Sequence, residues 1–269
     1  MKKGLLKAVA LGAAAVMSVA AIAGCAGGNK AENNADVAND NAGNKIIMGT
    51  NAAFQPFEFT TTSGIVGEFD GIDVAIAKQI ADDMGMELEI ADMEFDGLIA
   101  AVSTGKVDFV AAGMTANDER RKNVDFSDTY FTAAQVMVVA ADNTDITKAE
   151  DLKNNKKVGV VLGYTGDSIV TEDLEIPEDK ITRANRGLDL VQEVKNGKLD
   201  AVVIDSATGK ALAEKNGLKV VEDSEAFETE EYAIAVKKGN TELLDKINTT
   251  LAEMISSGKM DELAIQYNE

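Results

Sequence analysis

One pattern occurs twice in this chain, and that repetition limits the fold more than any other feature. Leu98-Ile99…Val102-Ser103-Thr104-Gly105-Lys106-Val107-Asp108-Phe109-Val110 has a counterpart ninety-two positions on, in Leu190-Val191…Val194-Lys195-Asn196-Gly197-Lys198-Leu199-Asp200-Ala201-Val202. Each copy reads as a helix, a glycine in the left-handed position that ends it, and a buried strand. Each also follows an earlier strand that runs into a polar or glycine-bearing loop, Gly49-Thr50-Asn51 and Leu162-Gly163-Tyr164-Thr165. The β-rich runs are Lys45–Thr50, Glu87–Ala91, Val107–Ala112, Gln135–Ala140, Lys157–Val161, Leu199–Ile204 and Tyr232–Val236. Between them, helical spacing predicts a helix capped by Asp73 and ended at Gly85, with Val74, Ala77, Ile80, Ala81 and Met84 on its apolar face. Further helices are predicted over Phe95–Thr104 and Leu188–Lys195, and over a run capped by Thr241, with Leu244, Ile247, Leu251 and Ile255 as its face and Gly258 as its stop. Such alternation argues for an α/β fold of two lobes, each a mainly parallel sheet flanked by helices. In open α/β sheets ligands sit beyond the carboxyl ends of strands, so two facing lobes predict a cleft between them.

Composition removes whole classes of chemistry. The 269 residues contain no His, no Trp and one Cys, which excludes Ser-His-Asp and Cys-His catalysis, His-ligated zinc and disulfides within the chain. With 46 acidic against 26 basic residues and a net charge of −20, phosphate backbones are repelled, so no nucleic-acid partner is expected. The reading calls for no metal and no cofactor.

The first residues look like an export signal. Met1-Lys2-Lys3-Gly4 is positive, and the uncharged apolar run from Ala8 to Ala23 suits a signal core better than a membrane span. It ends at Ile22-Ala23-Gly24-Cys25, which resembles a bacterial lipobox with isoleucine where leucine is commoner. Residues 1–24 are therefore expected to be removed and Cys25 to receive lipid, tethering the exported protein to the outer face of the membrane. Residues 25–44, rich in Gly, Asn, Ala and Asp, read as a flexible tether reaching roughly 25 Å.

The stretch Gly113-Met114-Thr115-Ala116-Asn117-Asp118-Glu119-Arg120-Arg121 follows a predicted buried strand and opens a helix, with Thr115 or Asn117 as caps. Free N–H groups at a helix start attract anions, and an arginine there adds a planar fork for a carboxylate. On spacing alone Arg120 and Arg121 read more readily as solvated surface charges, which is what most arginines are.

Several motifs taken in order change that balance. Gly49-Thr50-Asn51-Ala52-Ala53-Phe54-Gln55-Pro56-Phe57-Glu58-Phe59 resembles the first strand and loop of amino-acid-binding proteins of ABC importers. Gly67-Glu68-Phe69-Asp70-Gly71-Ile72-Asp73-Val74 is close to that family's G-x-x-x-G-F-D-V-D pattern, with Ile72 for the phenylalanine. Glu94–Ile99, Ala112–Arg120 and Val124–Asp128 follow in the family's order. From about Lys45 onward the chain thus resembles an extracellular solute-binding protein of the polar amino acid type, with a periplasmic-binding-protein-like type II fold.

The resemblance implies two crossover strands joining lobe 1 (45–134 and 229–269) to lobe 2 (135–228), hinge closure on a free amino acid, delivery to an ABC permease, and a monomeric protein without enzymatic activity. Carried over position by position, Arg120, Thr115 and the backbone near Gly113 would bind the ligand α-carboxylate, and Thr165 would close on it from lobe 2. Asp205 would bind the α-ammonium. Asn51 stands where many members carry an assisting Asp. Phe54 and Phe95 would sandwich the ligand side chain, while Val161 and Ile204, with Tyr164 as a possible polar contact, would line lobe 2 and point to a neutral ligand. Two alternatives on the same scaffold are a ligand-presenting sensor and a cyclohexadienyl-dehydratase-like enzyme using Glu58, Glu94 or Asp167.

Overall fold

The computed structural model describes residues 45–268; the predicted signal, Cys25 and the tether lie outside the described residues. In chain order the elements begin with strands β1 (Lys45–Thr50), β2 (Ala53–Phe54), β3 (Glu58–Thr60) and β4 (Phe69–Asp70), helix α1 (Ile72–Asp83), β5 (Glu87–Asp92) and α2 (Leu98–Thr104). Next come β6 (Phe109–Val110), α3 (Asp118–Arg121), β7 (Val124–Phe126), β8 (Phe131–Ala133) and β9 (Gln135–Val139). The second half runs β10 (Val158–Val161), α4 (Thr165–Ser168), β11 (Ile181–Ala184), α5 (Gly187–Lys195), β12 (Ala201–Asp205), α6 (Ser206–Asn216) and β13 (Lys219–Val221). It closes with β14 (Glu230–Tyr232), β15 (Ala235–Lys237), α7 (Thr241–Ser256) and α8 (Lys259–Asn268).

Two five-stranded sheets result, ordered β5-β1-β6-β15-β7 and β11-β10-β12-β9-β13. They share one plan: the repeat seen in the sequence supplies β6 and β12, which run parallel to β1 and β10 respectively. Four strands of each sheet run parallel, as the expected mainly parallel sheets require, and a single strand, β15 in one and β9 in the other, runs antiparallel to them. The cause is connectivity. β9 and β15 enter their sheets directly from β8 and β14, the antiparallel pair that crosses between the lobes, without an intervening helix to reverse them.

Alternate residues of lobe 2's central strands face opposite ways, as a strand's period of two requires. Val136, Val138, Val202 and Ile204 join the larger core cluster, while Met137, Val139, Ala201 and Val203 join a second one. Both faces of that sheet are covered, which is why these strands read as unbroken apolar runs.

Several local expectations are corrected. Helix α1 is capped by Gly71, not Asp73; its first N–H groups are taken by the carbonyls of Pro56 (3.1 Å) and Phe57 (2.9 Å), and Asp73 is buried on the helix's inner side. Residues 95–97 form a separate 3-10 turn before α2. Asn240, not Thr241, caps α7, whose buried face is Leu243, Ile247, Thr250, Leu251 and Met254, leaving Ile255 exposed. Among the described residues no helix is long and apolar enough to cross a membrane.

Candidate functional site

The carboxyl ends of β1, β6, β10 and β12 converge, and their following loops supply the polar groups of one cavity. It is a narrow space, with room for little more than one water molecule, lined by Phe54, Phe95, Gly113, Thr115, Arg120, Tyr164, Thr165 and Asp205, together with Ala112. Thus eight of the eleven expected ligand contacts meet there, from both lobes.

From lobe 1, Asn117 caps the short α3 by accepting from the Arg120 N–H at 2.9 Å, which turns the Arg120 side chain inward. Its guanidinium donates to the carbonyls of Thr115 (2.8 Å) and, across the cleft, Gly163 (3.1 Å), and lies 5.1 Å over the Phe95 ring. Burial pulls the Arg120 pKa down, and the charges of Asp205 and Glu230 oppose that pull. Gly113 has φ 52°, and its N–H donates to Asp73 Oδ2 at 2.8 Å. Asp73 also accepts from Tyr130 Oη at 2.7 Å; burial raises its carboxyl to about 6, and that of its fully buried neighbour Glu58 well above the usual range. A proton held by Glu58 gives this buried carboxyl pair the hydrogen bond that two carboxylates could not make.

From lobe 2, Asp205 ends β12 and is buried. Its carboxylate accepts from Tyr232 Oη at 2.6 Å. Desolvation, then the Glu230 charge, push it up to about 7 against the pull of Tyr232, Gln135 and Arg120. Tyr164 is wedged edge-on between Phe95 (4.5 Å) and Phe54 (5.4 Å), and its hydroxyl donates to Asn51 Oδ1 at 3.3 Å. Asn51 is anchored in turn by its Nδ2 donating to Met93 O at 2.9 Å. Thr165 Oγ1 donates to Thr115 Oγ1 at 3.1 Å, a further link between lobes.

Val161 and Ile204 are buried but stand outside the cavity wall. Ile204 packs towards Gly187, Leu212 and Gly209, so both belong to the core under α5 and α6. The acids weighed for catalysis also lie off the wall: Glu58 is buried behind it, Glu94 is exposed, and Asp167 pairs with Arg183 Nε at 2.9 Å. No group of three or more potential metal ligands occurs among the described residues.

Three participants escaped the sequence reading. Glu230 accepts from Thr115 Oγ1 (2.6 Å) and Gln135 Nε2 (3.0 Å), and Tyr232 holds Asp205. The one available hint was Gln135, a polar residue heading the otherwise apolar run Val136-Met137-Val138-Val139.

Comparison with known proteins decides the relationship. The description "Bacterial extracellular solute-binding proteins, family 3" matches residues 46–269. The chain belongs to that family. Among relatives of this solute-binding protein, the arginine-binding extracellular protein ArtP of Bacillus subtilis is 40% identical over 223 residues, covering 81% of this chain and 84% of ArtP. An ancestral arginine-binding protein solved bound to glutamine superposes with a TM-score of 0.76 at 41% identity, covering 83% of this chain and 97% of that one. An ancestral amino acid-binding protein described as a precursor of cyclohexadienyl dehydratase gives 0.75 at 36% identity, covering 84% and 96%. The fold is therefore the two-lobed, periplasmic-binding-protein-like type II architecture.

Proposed function

We propose that this protein binds a free L-α-amino acid between its lobes and delivers it to the permease of an ABC importer. The observation that carries this reading is a half-buried arginine fork and a buried aspartate reaching one cavity from opposite lobes. A zwitterion satisfies both at once. Its carboxylate replaces the Thr115 and Gly163 carbonyls as partner of Arg120, and its ammonium draws Asp205 into the ionised form. Because neither lobe holds both charges, a ligand that touches both biases the protein towards closure. Exclusion of water on closure strengthens both contacts.

The ligand side chain takes the slot between Phe54 and Phe95 that Tyr164 occupies. A neutral side chain fits a wall whose only charges are Arg120 and Asp205. A cationic one has its own support: Glu230 stands beside Asp205, so that acids outnumber the single arginine, and relatives named for arginine binding are 40–41% identical. In this reading the protein is exported, tethered through lipid at Cys25, and works as a monomer.

A thermal-shift panel of the twenty protein L-amino acids on wild type and Arg120→Ala tests the proposal and separates the two side-chain classes. A ligand at one hundred times its Kd adds about 2.7 kcal/mol of stability. At least one amino acid is expected to raise the Tm of wild type and not of the variant. No response to any of them, or equal responses in both proteins, contradicts the proposal.

A further inference from the structure

Behind the cavity wall, the crossover strand β14 and the strand β9, which follows the other crossover, each place one polar side chain, and the contacts above give neither a role. Glu230 opens β14 and is buried; one carboxylate oxygen accepts from the Thr115 hydroxyl at 2.6 Å and the other from Gln135 Nε2 at 3.0 Å. Gln135 opens β9, and its side chain also lies close enough to Asp205 to pull that carboxyl's pKa down. With carboxylates on two sides, the amide must turn its N–H groups towards both, which leaves its Oε1, without a partner, facing Gly166. A single amide therefore ties the Asp205 carboxylate of lobe 2 to a carboxylate on the returning crossover.

The protons fix the direction of the chain of bonds. A hydroxyl has one proton, and a carboxylate oxygen can only accept, so Thr115 gives its proton to Glu230. Thr115 Oγ1 is left with lone pairs alone, in keeping with its accepting from the Thr165 hydroxyl at 3.1 Å. It can then receive a proton from a ligand ammonium and cannot donate one to a ligand carboxylate, which reverses the expectation for its side chain.

We infer that Glu230 is a positioning residue for amino acid binding, which turns Thr115 into an obligate acceptor beside Asp205 and, through Gln135, holds the two acceptors together. The inference rests on the amino-acid reading of the cleft. Its effects reach the pH dependence as well, because the groups facing Asp205 are Glu230 and Tyr232 from β14, Gln135 from β9, Arg120 after the Gly113 loop, and the more distant Glu58 from β3.

Calorimetric titration tests this with L-glutamine, or with L-arginine if that gives the larger thermal shift, on wild type, Glu230→Gln, Thr115→Val, the double variant and Thr115→Ser. At pH 8 each of Glu230→Gln and Thr115→Val is expected to weaken binding about tenfold, and the double variant no more than about twentyfold, because the two side chains act as one unit. Thr115→Ser, which keeps the hydroxyl, binds within about threefold of wild type. Loss of the Glu230 charge also moves the acid limb of the affinity profile to lower pH, a shift that a merely structural residue does not produce. Wild-type affinity in Glu230→Gln, an additive loss of about a hundredfold in the double variant, or an unmoved acid limb overturns the inference. Should Glu230→Gln fail to fold by circular dichroism, the contrast between Thr115→Val and Thr115→Ser decides it, and equal affinities overturn it. If no protein amino acid binds wild type, the amino-acid reading itself falls; if one binds and only the variants behave otherwise, Glu230 alone loses its role.

Discussion

Asp205 combines a use with a liability. Its carboxyl sits at about 7 in the folded protein against an ordinary value near 3.8, chiefly because burial strips its solvent. The sign of the consequence follows from proton binding. Between about pH 4 and 7 the unfolded chain releases this proton before the folded chain does, so the folded state loses stability as pH rises through that window and no more above it. At 1.36 kcal/mol per unit the loss reaches up to about 4 kcal/mol. Asp205→Asn, which cannot titrate, is therefore expected to be more stable than wild type at pH 8 and no more stable at pH 4, by urea denaturation without ligand, while its amino acid response disappears. A gain of equal size at both pH values contradicts this account. Affinity has the opposite slope: an ammonium pairs with ionised Asp205, so wild-type binding weakens as pH falls below about 7.

The placement of Arg120 at the cavity was legible only through the ordered motifs, which raised it above the surface charge that spacing alone suggested. Glu230 was not legible. A carboxylate beside Glu231 in an acidic chain reads as solvated surface, and only the antiparallel pairing of β14 with β8 turns it inwards towards Gln135. Asp73 was misread for a related reason. It stands where a capping residue belongs, but its carboxylate is drawn to the Gly113 N–H, forty residues away in sequence.

At the scale of elements, the loop after β6 shows how backbone geometry prepares the site. Gly113 holds φ 52°, a region that costs other residues energy, and a β-carbon there would run into the Phe54 ring. Gly113→Ala must therefore strain the loop, displace Phe54, or both. It is expected to cost on the order of 1–3 kcal/mol of stability and to weaken ligand binding at least tenfold, as read by denaturation and calorimetry. Unchanged affinity would mean that the loop does not position the ligand. The strands and helices seen in the sequence were those with strong periodicity. Helix α6 went unseen because its Ala-, Gly- and Lys-rich run Ser206–Asn216 carries no continuous apolar stripe, and only Thr208, Gly209 and Ala213 are buried. The short strands β2, β3 and β4 are two or three residues long, too brief for alternation to register. They matter nonetheless, since β2 carries Phe54.

Across the whole molecule, the repeat in the sequence became two sheets of matching order, and the crossover strands became the place where the lobes share polar contacts. Beside the links at the crossovers, Gln135 with Glu230 and Tyr232 with Asp205, four side-chain links join the lobes among the described residues: Arg120 with Gly163, Thr165 with Thr115, Tyr164 with Asn51, and Lys215 Nζ with Gln55 Oε1 at 2.5 Å. Three of these four involve at least one residue proposed for ligand recognition. Under the proposed function, ligand binding and lobe closure draw on the same side chains, which would couple occupancy to shape. Whether a zwitterion is gripped by both its ends is tested most directly by calorimetric titration of wild type with the amino acid that shifts its Tm most, and then with that amino acid's α-carboxamide, which lacks only the negative charge. The free acid is expected to bind and the amide to bind at least a hundredfold more weakly, since Arg120 then meets no carboxylate. Equal affinity for the two would contradict the account.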